Sequence, residues 1–148
     1  MITRYGLLLA TLALPTVARA QTAADSSAIR ATALDYVEGW YTGNAERMGR
    51  AIHPELVKRI VVRDTATKHS VIETMGATAL VNGTRHGWGK ETPANRRQKD
   101  VAILDIFGNV ASVKSVMADW IDYLQIAKVD GRWVIVNVLW EYKPGSGR

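Results

Sequence analysis

Two carboxylates and a phenol lie close together late in the chain: Asp119, Asp122 and Tyr123, with Trp120 between the acids. A carboxylate held in an apolar cavity has a raised pKa and can shuttle a proton, while a tyrosine hydroxyl beside it can stabilise an oxyanion. The three residues are therefore the catalytic candidates. Residues three apart on a regular strand point to opposite faces, so Asp119 and Asp122 form a carboxylate pair only if a bulge intervenes. The competing reading puts both acids on a solvated corner between strands.

Other chemistries find less support. His53, His69 and His86 are scattered, and none has the i, i+4 spacing of a helix-borne metal pair. The chain has no cysteine. No Gly-x-Ser-x-Gly elbow occurs, and the glycine-rich stretch Gly83–Gly89 lacks the Lys-Ser/Thr of a phosphate loop. No metal and no cofactor is expected.

A binding site is easier to assemble. Trp40, Tyr41, Trp88, Trp120, Tyr123, Trp133, Trp140 and Tyr142 supply flat surfaces suited to a flat or hydrophobic small molecule, unless they are simply core. Asn137 is the one polar residue on an apolar strand face. It either bonds neighbouring backbone or reads a ligand in a cavity. Trp40, His53, Tyr123 and Asn137 are the candidate ligand-binding residues.

The elements that must position these residues follow from periodicity. Asp25, Ser26 or Ser27 can cap a helix starting near Ala28, with Ile29, Ala33, Tyr36, Val37 and Trp40 at helical spacing. It stops at Thr42-Gly43, and Asn44 caps a short helix, Ala45–Ile52, ended by His53-Pro54. Leu56–Arg63 reads as a strand and Asp64–His69 as a turn. Val71–Val81 fits a helix better than a strand, and Asn82–Asn95 reads as a loop. Asp100–Phe107 is a strand and Gly108-Asn109 a turn.

The last third is the most regular. Ala111–Trp120 and Asp122–Val129 are strands, and Asp130-Gly131 is a type I′ hairpin signal leading into Arg132–Tyr142. On that strand strict alternation puts Trp133, Ile135, Asn137 and Leu139 on one face and Val134, Val136, Val138 and Trp140 on the other. A strand apolar on both faces is covered on both. Helices can cover one face, and a second subunit is the simplest cover for the other.

Met1–Ala20 reads as a signal peptide: Arg4, an apolar run Gly6–Leu14, Pro15, and Ala18-Arg19-Ala20 before the cleavage point. The run is too short to span a bilayer, which takes about 20 apolar residues. The expected product, Gln21–Arg148, is a single domain that is periplasmic or secreted, with no membrane attachment after cleavage. Cleavage removes Arg4 and Arg19 but no acid, so the net charge of +5 falls by two to +3. The one basic cluster, Arg96-Arg97-Gln98-Lys99, sits in a predicted loop without interleaved aromatics, so no nucleic-acid partner is expected.

Two stretches resemble a known family. Gly39-Trp40-Tyr41-Thr42-Gly43-Asn44-Ala45-Glu46-Arg47-Met48, followed by His53-Pro54-Glu55-Leu56 and Lys58-Arg59, is similar to the opening of the nuclear transport factor 2-like superfamily. It resembles in particular the bacterial branch labelled "putative lumazine-binding". The closing Asp122-Tyr123-Leu124, Lys128-Val129-Asp130-Gly131-Arg132-Trp133, Ile135-Val136-Asn137 and Trp140 resemble the same branch. The resemblance implies an α+β cone, a strongly curved antiparallel sheet packed against N-terminal helices. It also implies a homodimer through the convex sheet face.

It implies no single activity, because the superfamily holds ketosteroid isomerase, scytalone dehydratase, polyketide cyclases, immunity proteins and binding modules. Its isomerases place their base after the second helix, where Glu55 is the only acid here. With Lys58 and Arg59 close by, Glu55 would be ionised and weakly basic. The expectation is an exported, non-catalytic binder of a small organic ligand, with a partly apolar pocket between helices and concave sheet. The alternatives are an isomerase- or dehydratase-like enzyme with an Asp base, and a protein-interaction module.

Overall fold

The computed structural model describes residues 17–146, with side chains from Ala23 onward. The expected leader lies outside these residues up to Thr16. Helix α1 spans Val17–Thr42 and α2 spans Ala45–Ala51. Strands β1 (Ile52–Arg63) and β2 (Ser70–Gly76) lead to helix α3 (Ala77–His86). Two single 3₁₀ turns, Trp88–Glu91 and Ala94–Arg96, precede β3 (Asp100–Phe107), β4 (Val110–Val116), β5 (Trp120–Val129) and β6 (Arg132–Tyr142).

The six strands form one curved, unclosed sheet in the order β2-β1-β6-β5-β4-β3. All neighbours are antiparallel except β1 and β6, which run parallel. The fold is the expected α+β sheet packed against N-terminal helices. Ile29, Ala33, Tyr36 and Val37 of α1 meet Val113, Leu124, Ile126, Ile135 and Val138 of the concave face in one buried core. Asp130 (φ 49°) and Gly131 (φ 78°) make the positive-φ turn expected between β5 and β6.

Five local expectations need correction. Helix α1 runs through Asp25, Ser26 and Ser27, so none of them caps it. Instead Asp25 accepts from Lys128 Nζ and Trp133 Nε1, each at 2.9 Å, and clasps the helix to the hairpin. Asn44 does cap α2, accepting from the Arg47 backbone N–H at 2.9 Å.

His53-Pro54 lies inside β1, and α2 ends at Ala51 because Ile52 already has extended backbone. Val71–Val81 divides at Gly76 into an edge strand and a helix. All of the edge strand but Met75 is exposed, so it shows no alternation, and its Val71 and Met75 match helical spacing by coincidence. The expected loop Asn82–Asn95 is the end of α3 plus the two 3₁₀ turns.

The fifth correction moves a candidate site residue. Ile126 pairs with Ile135, but the next pair is Gln125 with Asn137, so Val136 is an extra residue in β6. Such a bulge reverses the parity of every later side chain. Asn137 and Leu139 consequently face away from Trp133 and Ile135, while Val138, Trp140 and Tyr142 join the concave side.

Candidate functional site

The bulge, the parallel pairing of β1 with β6 and the packing of α1 build one cavity. Leu56, Lys58 and Ile60 are the inward residues of β1, so Lys58 is a cation at a core position. In β1 it lies beside Val138 of β6 and Met75 of β2. Asp122 points inward from β5 and stands opposite Trp140 and Ser115 on the neighbouring strands. Tyr36 descends from α1.

These groups meet. Lys58 Nζ donates to Asp122 Oδ1 and, at 2.8 Å, to the Tyr36 hydroxyl. Trp120 Nε1 donates to Asp122 Oδ2 at 3.1 Å. Asp122 is fully buried and Lys58 is 8% exposed. The Lys58 ammonium also lies 4.7 Å from the centre of the Trp140 ring, a cation–π contact.

Burial pushes the Lys58 ammonium below its ordinary range, against the opposing pull of Asp122. Burial pushes the Tyr36 phenol well above its ordinary value, and the Asp122 charge adds to that shift. Tyr36 is therefore a neutral hydroxyl at any physiological pH.

The cavity in front of this cluster has a volume of about 270 Å³. Its walls include Trp40, Trp88, Trp120 and Trp140, four of the five tryptophans of the chain. Tyr36, Lys58 and Tyr142 also line it, and Met75, Leu80 and Met117 fill the gaps. Trp40 meets Trp120 edge-on with ring centres 6.2 Å apart, Trp120 meets Trp140 at 6.1 Å, and Trp140 meets Tyr142 at 4.8 Å. Edge-to-face contacts of this kind are the preferred arrangement of aromatic pairs and orient each ring against the next.

Of the residues expected from the sequence, the structure brings Trp40 to the cavity wall and buries Asp122 behind it, against Lys58 and Trp120. Asp119 sits on the β4–β5 corner, bonded by Arg96 at 2.7 Å, so the two acids do not form a pair. Tyr123 is half-exposed on the convex face, with the Lys114 ammonium 6.0 Å from its ring centre. Asn137 is also convex, accepting from Arg59 and donating to Gln125 at 3.0 Å. His53 lies at the start of β1, outside the cavity wall, where its Nδ1 accepts from the Glu55 backbone N–H.

Lys58 and Tyr36 are cavity residues that the sequence reading did not single out, whereas Trp120 and Trp140 stood among its pocket-suited aromatics. Lys58 left a readable signal, a lysine between Leu56 and Ile60 on the apolar parity of a strand. Among the described residues no three metal-binding side chains converge. No described helix is long and apolar enough to cross a membrane.

A curved sheet whose concave face is covered by helices over a largely apolar cavity is the nuclear transport factor 2-like fold. Solved structures agree on that fold. A protein of this type from Shewanella baltica, described as of unknown function, has a TM-score of 0.61 at 18% identity, over 83% of this chain and 97% of its own. Another from Novosphingobium aromaticivorans, with a cystatin-like fold, has a TM-score of 0.62 at 12% identity, over 86% and 88%. A third, from the same organism and described as "Putative Scytalone Dehydratase", has a TM-score of 0.54 at 14% identity, over 84% and 88%.

Within that class, residues 24–141 match the family described as "Putative lumazine-binding", and the chain belongs to it. No curated protein matches it significantly.

Proposed function

We propose that this protein binds a flat aromatic molecule bearing hydrogen-bond acceptors, of the lumazine kind its family description names, and does so without catalysis. One observation carries the reading: among the described residues lining the cavity, Lys58 is the one cation in an aromatic wall, fixed by Asp122 and Tyr36. An ammonium has three donors, and two are spent on those partners. The third is available to a carbonyl oxygen of a bicyclic dione such as lumazine, whose rings stack on the tryptophans. The Asp-base enzyme is the weaker reading, since both Asp122 oxygens already accept hydrogen bonds and the carboxylate does not line the cavity.

The same proposal includes export after cleavage following Ala20, and a homodimer through the convex sheet face. Isothermal titration of the mature protein with lumazine is the test. Saturable heat at one lumazine per chain, exceeding that of a flexible acid such as octanoate, is expected. No heat at millimolar lumazine, or tighter octanoate binding, overturns the reading.

A further inference from the structure

The glycine-rich stretch after α3 has a role in this cavity. We infer that Gly83 seats the Trp88 ring at the cavity wall, and that Trp88 is a ligand-contact residue selecting flat molecules there. The inference rests on the binding proposal above.

Gly83 lies inside α3, where glycine is the poorest helix former after proline. It is buried, and its φ is not positive, so the backbone would accept alanine. What excludes a side chain is Trp88: a Cβ on Gly83 would lie 2.5 Å from Trp88 Cε3 and 2.7 Å from Cζ3. The reversal that returns Trp88 onto its own helix is made by Gly87 in the left-handed region (φ 83°), whose N–H bonds the Thr84 carbonyl at 2.9 Å.

A second close approach pins the far side. Gly89 lies directly against the Trp40 carbonyl and ring, with no room for a Cβ. Two glycines thus fix a short strap that holds two of the cavity tryptophans. Trp88 stays 53% exposed, although it lines the cavity and the His86 ring lies tilted beside it, with ring centres 6.5 Å apart. An indole left half in water, with helix stability given up to place it, is explained by a contact that forms when the cavity fills.

The experiment is lumazine titration by calorimetry on four mature proteins: wild type, Trp88→Ala, Gly83→Ala and the double variant. Loss of one aromatic contact lowers affinity about tenfold, so Trp88→Ala is expected to bind about tenfold more weakly. Gly83→Ala should lose a similar factor while its melting temperature stays equal or rises. The double variant should bind no more weakly than Trp88→Ala, because Gly83 acts only through that ring. Trp88→Phe should retain most of the affinity.

If wild type binds and both single variants bind equally well, this inference falls and the binding reading stands. Additive losses in the double variant overturn the seating role. A wild type that binds no lumazine overturns the binding reading, and the contact role of Trp88 falls with it.

Discussion

On the concave face of the sheet Lys58 pairs with Asp122 in a nearly dry site. One residue further along β1, on the convex face, Arg59 bonds Asn137, and Asn137 bonds Gln125 in contact with water. The strands are the same and their residue types are similar. What differs is the cover. Helices α1 and α3 close over the concave side, so the Lys58 and Asp122 charges are paired within the protein, while Trp40 Nε1 and Ser115 Oγ are buried there without a partner. The convex side leaves Tyr123, Leu139, Leu104 and Phe107 exposed, and water can satisfy whatever the side chains do not. Polar groups on the two faces therefore carry very different stakes.

The largest test of that contrast is Asp122→Ala. It leaves a buried ammonium without its counter-charge, and a loss of about 3–5 kcal/mol is expected in urea unfolding. Replacing both partners by Lys58→Met with Asp122→Leu should recover most of that loss, because neither charge then needs burial. A mild effect of Asp122→Ala would mean that the concave site is wet.

The convex face should respond in assembly instead of folding. Leu139→Lys is expected to halve the mass seen by light scattering while the melting temperature changes little. A wild type that is already monomeric would show that this face needs no second copy. Asn137→Ala should cost no more than about 1 kcal/mol, since water replaces the lost bonds. A cost near that of Asp122→Ala would erase the distinction between the faces.

The smallest effect concerns the fastening of α1 over the concave side. The hydrogen bond from Lys128, and then that from Trp133, holds the Asp25 carboxyl below its ordinary 3.8. The hydrogen bond from Lys99 and the Arg47 charge hold Glu38 below its ordinary 4.5. A carboxyl depressed in the folded state contributes stability that is complete above its ordinary pKa and lost as pH falls through its folded value. Melting temperature should therefore hold from neutral pH to about 5 and decline below about 4. Lys128→Met should shallow that decline.

Much of the fold was legible locally. The cap at Asn44, the turn at Asp130-Gly131, the last strands and the two family-like stretches are written in neighbouring residues. The candidate site was only half legible. Trp40 announced itself as an aromatic at a helix end, and Asp122 as an acid beside a tryptophan. Tyr123 and Asn137 were drawn to the pocket by strict alternation, which counts residues but does not detect an unpaired one. The edge strand β2 was misread because a strand exposed along nearly its whole length has no pattern to show.

By itself the sequence determined which segments pair and turn, because φ preference and side-chain period are properties of a few adjacent residues. Only the tertiary structure decided which face each late residue of β6 meets. The bulge at Val136 exists in the pairing of two strands, and one extra residue turns every later side chain over. The tertiary structure alone also set Lys58 against Asp122, 64 positions apart in the chain. Their meeting depends on β1 lying parallel to β6 and on a helix excluding water from the space above them.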